Sequence, residues 1–308
     1  MHRTITVSVP TDCTDPLIRQ FHAMSTVIGL SVGRGTSLKP TGDVLTLQVL
    51  NRGTDDVLRC VSSGCRGRPY SITTAELDSI IDPENHALIE TDTDEAIWEE
   101  TESGLRHNGR LTPNYIALMG VGGMIAAVGL VSDPAPQAVS FVAAAVLSPG
   151  FDPLAKIALG VLHRRTHLMV YGLRNSLLGY LTLILFADLS FWVMQLSGVT
   201  TIAEFIGNPE VESLSNPGPK QYLMSLGGAL AGGIIVASYR ESFIAGAMMA
   251  LASIHSAAMI GVSLVAGDWE HAWQGVERFG LDALLVIGSC YVVFALKQRF
   301  IHRRAPIV

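Results

Sequence analysis

No apolar run opens the chain, only four cysteines occur in 308 residues, and neither charge sign dominates. The missing apolar opening leads us to expect no secretory signal peptide. Cys13, Cys60, Cys65 and Cys290 are scattered, which predicts reduced thiols in a cytoplasmic setting; only Cys60 and Cys65 are close in sequence, a weak basis for a metal or redox site. A net charge of −6, with much acid between Glu76 and Glu102, argues against a nucleic-acid partner. The sequence also lacks a phosphate-binding glycine loop, a zinc-protease motif and a Ser-His-Asp signature. His163 and His167 have metal-ligand spacing, but two arginines separate them and no carboxylate lies nearby, so no metal and no cofactor is expected.

What the chain has in abundance is apolar sequence, all in its second part. A spanning helix needs about 20 mostly apolar residues. Residues 112–132, 136–162, 170–197, 220–239, 242–266 and 280–298 each qualify, giving six expected spans. Basic residues (Arg106 and Arg110, Arg164 and Arg165, Arg240, then Lys297 to Arg304) fall in alternate loops. The positive-inside rule then predicts a multi-pass protein of the inner cell membrane with both termini cytoplasmic. Membrane lipids are thus expected partners.

Residues 1–110 read as soluble. Alternation at 3–9, 30–37, 44–50 and 70–74 predicts four strands, and helical spacing at 16–28 and 55–63 predicts two helices. The order βαββαβ suggests an α+β ferredoxin-like domain over 1–86. Residues 87–110 follow as an amphipathic linker helix, capped by Thr91 or Asp92, with its acidic run forming a wet face. An all-α membrane domain over 111–308 completes the expected organisation.

The second span holds the most unusual chemistry. Its FVAAAVLSPGFDPLAKIALGVL carries Ser148, Pro149, Gly150, Asp152, Pro153 and Lys156 near its middle. Each proline lacks a backbone donor, so helical bonds to Ala145 and Pro149 cannot form. Two half-helices are expected, the second starting with Asp152 as N-cap and Pro153 as first residue. Asp152 and Lys156 are four apart and able to pair, either as a structural cap or as functional groups. The fifth span carries Ser253, His255 and Ser256 at nearly the same depth. Aligning FVAAAVLSPGFDPLAKIALGV with FIAGAMMALASIHSAAMIGVS suggests an inverted 3+3 repeat.

These segments, with the linker IWEETESGLRHNGRLT and the later ALAGGIIVASYRESFIAGAMMALASIHSAAMIGVSLVAGDW, resemble the bacterial membrane proteins of domain-of-unknown-function family 389. SPGFDPLA is the most specific part. The resemblance implies the architecture and no activity. In the family the fifth span usually carries a central proline pair, where this chain reads ALASIHSAA.

The leading expectation is a transporter or channel for a small polar or ionic solute. Its midplane site would use Ser148, Gly150, Asp152, Lys156, Ser253, His255 and Ser256. The alternative is a membrane-embedded enzyme acting on a lipid-like or isoprenoid substrate, with Asp152 and His255 as acid and base. A membrane sensor or scaffold is the third. Glycine-rich faces and a free sheet edge are compatible with a homo-oligomer.

Overall fold

A computed structural model describes residues 2–77, 79–93, 96–238 and 243–301, and their side chains except those of 243–252. The chain forms an N-terminal mixed α/β domain followed by a largely helical, partly membrane-spanning region. Two compact units divide at Glu99 and Glu100.

The first unit runs β1 (His2–Val9), α1 (Thr11–His22), β2 (Val27–Leu38), β3 (Thr41–Val49), α2 (Thr54–Gly64) and β4 (Ser71–Leu77), then a short α3 (His86–Glu90). The strands form one antiparallel sheet in the order β2-β3-β1-β4. Strict alternation turns Ile5, Val7 and Val9 of β1, with Leu45, Leu47 and Val49 of β3, to one face. Leu17 and Phe21 of α1 and Val57 and Val61 of α2 join that core. α1 starts five residues before the expected Pro16, because the buried i, i+4 series Cys13, Leu17 and Phe21 sets its extent. Val27 and Ile28, expected in that helix, belong to β2.

Asp92 caps no helix, contrary to expectation. Its carboxylate accepts the backbone N–H groups of Asn51 (2.6 Å) and Arg52 (3.2 Å) and lies 3.1 Å from His2 Nδ1. These long-range donors take the lone pairs that capping would use. The linker helix, α4, is Trp98–Asn108. Its acidic face is not uniformly wet either. Glu102 is buried and holds Arg106 and Arg165.

The second unit continues with α5 (Pro113–Gly129), α6 (Pro134–Leu147), α7 (Phe151–Leu162), α8 (Thr166–Leu196), α9 (Ile202–Ile206), α10 (Pro209–Ser215), α11 (Pro219–Ser238), α12 (Phe243–Ala266) and α13 (Trp269–Phe300). Among the described residues α8, α11 and α13 are each long and apolar enough to span a membrane. Two bent pairs, α4 with α5 (68°) and α6 with α7 (50°), raise that number to five. The protein is therefore a multi-pass membrane protein. α8 shows why. Leu173, Leu177, Leu181, Leu185 and Leu189 form an exposed i, i+4 stripe suited to lipid, whereas Gly172, Asn175, Ser176, Gly179, Tyr180 and Leu183 are buried. α5 packs on that buried face closely enough that a side chain at Gly123 would meet the Leu183 carbonyl.

α13 begins at Trp269, well before the expected 280. Asp268 caps it, accepting the His271 N–H at 3.2 Å. This early start places Arg278 and Asp282 on one helix.

Candidate functional site

The chain is interrupted between α6 and α7. Ser148 N–H donates to the Ala144 carbonyl at 3.1 Å, and Ser148 then turns extended (φ −92°, ψ 113°). Pro149 has no donor for Ala145, and helix resumes at Phe151 with Gly150 as its N-cap. Asp152 is thus not the cap that its sequence position suggested; it lies inside the first turn. Pro153, one residue on, still falls where a helical N–H would lack a partner.

Two close contacts hold this break. The buried Ser148 hydroxyl lies against α5 where Gly122 leaves room for it. Gly150 has ordinary helical backbone angles (φ −75°, ψ −24°), so its need is steric. A Cβ there would sit 2.6 Å from the Tyr180 hydroxyl. That hydroxyl lies 3.1 Å from Ser253 Oγ of α12, so one tyrosine joins the break to the polar part of α12.

His255, one turn section further along α12, stacks on Phe141 of α6, with centroids 3.7 Å apart and planes 27° apart. The ring lies against the Phe141 backbone, and Nε2 is buried with no hydrogen-bond partner among the described residues. A neutral imidazole carries one N–H and one acceptor nitrogen, so His255 can present either to the cavity.

Ser253 and His255 line a cavity of about 480 Å³, which also takes in Phe141, Glu210, Ser225, Arg278 and Asp282. Arg278 Nε lies 3.2 Å from Asp282 Oδ2, and Arg278 Nη2 donates to Ser225 Oγ at 2.7 Å. The Tyr222 ring covers the guanidinium, 5.5 Å from centroid to Cζ. The pair is buried, with Arg278 6 % and Asp282 2 % exposed. It is also poorly aligned. Among the described residues, Nε, Nη1 and both carboxylate oxygens form no well-aligned hydrogen bond, although Ser225 and Arg278 both lie within reach of the Asp282 carboxylate. Unpaired polar atoms at such burial are costly unless something else meets them. Glu210, on α10 between the spans, adds a carboxyl that burial pushes up and Arg278 pulls back.

The predicted site residues divide. Ser253 and His255 line the cavity, and Ser148 and Gly150 form the break one tyrosine away. Ser256 is buried and donates to the Ser253 carbonyl at 3.2 Å. Asp152 and Lys156 do not line the cavity. Asp152 bonds the Asn108 side chain, and the ion pair expected with Lys156 is not formed. Four apart on a helix permits a pair, but here the groups meet different neighbours.

Tyr180, Glu210 and Ser225 carry no signal of their own in the sequence. The Arg278–Asp282 spacing does, once both are placed on a helix.

Residues 145–287 match the family model described as Domain of unknown function (DUF389). The chain carries a DUF389 domain. That domain takes in the break, Tyr180, Ser253, His255, Arg278 and Asp282, and leaves Phe141 outside it. No curated protein and no solved structure matches the chain.

Proposed function

We propose that the helical unit passes a small polar or ionic solute across the membrane, and that the cavity beside the α6–α7 break is where the solute binds. The observation that carries this reading is a set of buried polar groups lining one cavity whose hydrogen bonds are incompletely met among the described residues: the Asp282 carboxylate, His255 Nε2 and the Arg278 guanidinium. Intramembrane ionisable groups are expensive and usually mark a pathway. A helix broken at membrane depth is tolerated where it lies in protein or beside water. Arg278 offsets only Asp282, so an ionised Glu210 leaves the cavity negative. A donor-rich solute, a small cation above all, suits that balance.

On this reading six spans form two inverted halves, with α12 facing the broken pair, and the Tyr180–Ser253 contact closes the cavity at the break. The N-terminal domain, whose strand order is that of a ferredoxin-like sheet, is a regulatory or assembly module. The enzyme alternative needs Asp152 and His255 at one substrate, and the cavity brings only His255.

Flux into proteoliposomes tests the proposal, with methylammonium, potassium and chloride as probes. Wild-type protein should pass a cationic probe in preference to chloride, and His255→Ala and Asp282→Asn should each reduce that flux about tenfold or more. Equal flux in all three proteins, or no flux of any probe, would reject it.

A further inference from the structure

Away from the cavity, a second group of charges is left unbalanced. Lys156 lies one turn into α7, only 5 % exposed. Among the described residues it makes no hydrogen bond and no ion pair, and the charged groups that act on it are Arg106, Glu102 and Arg174. Glu102, the carboxylate among these groups, is already engaged. Glu102 Oε1 accepts from Arg106, and Oε2 accepts from Arg165 at 2.9 Å. Arg174 lies against the Tyr171 ring, with Cζ 4.9 Å from its centroid. Arg106 and Arg165 thus share one carboxylate, and Lys156 has Arg106 and Arg174 as neighbouring cations.

An ammonium on a largely buried lysine is costly without a counter-charge, and neighbouring cations add to the cost. We propose that this cluster binds a phosphate-bearing anion. Lys156 would supply the inner contact, and Arg106 and Arg165 the outer ones. Phosphate suits the arrangement better than a single-atom anion. It offers several oxygens to donors arriving from different segments, and guanidinium forks bind it bidentately. The cluster stands where α7 gives way to the long spanning helix α8, so the phosphate could come from a lipid headgroup or from solution.

The test uses the full chain in dodecyl maltoside, which carries no phosphate, with thermal unfolding as the readout. One arm adds inorganic phosphate. The other adds dioleoylphosphatidylglycerol, with dioleoylglycerol as its phosphate-free control. Wild type should be stabilised in a saturable way in at least one arm. Stabilisation by the phospholipid alone assigns a headgroup site; stabilisation by inorganic phosphate as well assigns a free anion. Lys156→Gln and Arg106→Gln should each bind roughly tenfold more weakly, and Lys156→Arg should retain binding. Arg106 is 58 % exposed, so its variant reports even if Lys156→Gln does not fold. No wild-type response in either arm, or undiminished binding in the glutamine variants, would overturn the proposal.

Discussion

Replacing Gly150 with alanine probes the seam between the helix break and the cavity wall. The backbone accepts alanine at this position (φ −75°, ψ −24°), so any effect comes from the added methyl group. That methyl would lie 2.6 Å from Tyr180 Oη and 3.0 Å from Cζ. Tyr180 must then move, and its 3.1 Å contact with Ser253 is lost. Overpacking costs about 1–3 kcal/mol and a lost buried hydrogen bond about 0.5–1.5, so Gly150→Ala should destabilise by roughly 2–4 kcal/mol. Tyr180→Phe alone removes only the hydrogen bond and should cost about 1 kcal/mol. In the double variant the hydroxyl that clashes is gone, so its cost should fall short of the summed single costs by about 1–2 kcal/mol. Titration with sodium dodecyl sulfate in mixed micelles, followed by tryptophan fluorescence, measures all three. Additivity within about 0.5 kcal/mol would refute the contact.

Gly123→Ala should force α5 from the Leu183 carbonyl and destabilise by at least about 1–3 kcal/mol, whereas Gly227→Ala, with open space around it, should be silent in the same titration. In the N-terminal domain, the buried Asp43 carboxyl is held below the usual carboxylate range. It accepts the Gly35 N–H at 2.8 Å and, secondarily, the Thr14 hydroxyl at 2.7 Å. A lowered folded value stabilises above the unfolded value of about 4 and is lost as pH falls through the folded one. Protection of residues 2–49 from hydrogen exchange in the full chain, corrected for intrinsic rates, should therefore weaken in acid, and Asp43→Asn should remove that dependence; an unchanged acid profile in the variant would count against it.

Much of the architecture is legible because it is local. Alternation exposes the strands, and Pro149 with Pro153 exposes the interruption, since a missing donor acts on its own helix. What escapes the sequence is tertiary. Nothing near Gly150 announces Tyr180, thirty residues away. Glu210 falls between two expected spans, where Asn208, accepting the Glu210 N–H at 2.9 Å, caps a helix. Arg278 and Asp282 are close enough in sequence to suggest a pair, but nothing local shows that pair buried beside His255. Asp152 and Lys156 have the same spacing, yet Asn108 takes the carboxylate, so spacing permits a pair without enforcing it.

The most direct measurement concerns whether water reaches the cavity. A Cys290→Ala background leaves Cys13, Cys60 and Cys65, all buried in the N-terminal domain, so a Ser253→Cys reporter is the only thiol added to the helical unit. A charged, membrane-impermeant methanethiosulfonate should modify Cys at 253, and the cationic probe that shows flux should slow the reaction. Ala258→Cys, buried and away from the cavity lining, should stay unreactive. Failure of the reagent to reach position 253 from either side of the membrane would contradict a hydrated polar site beside the broken helix.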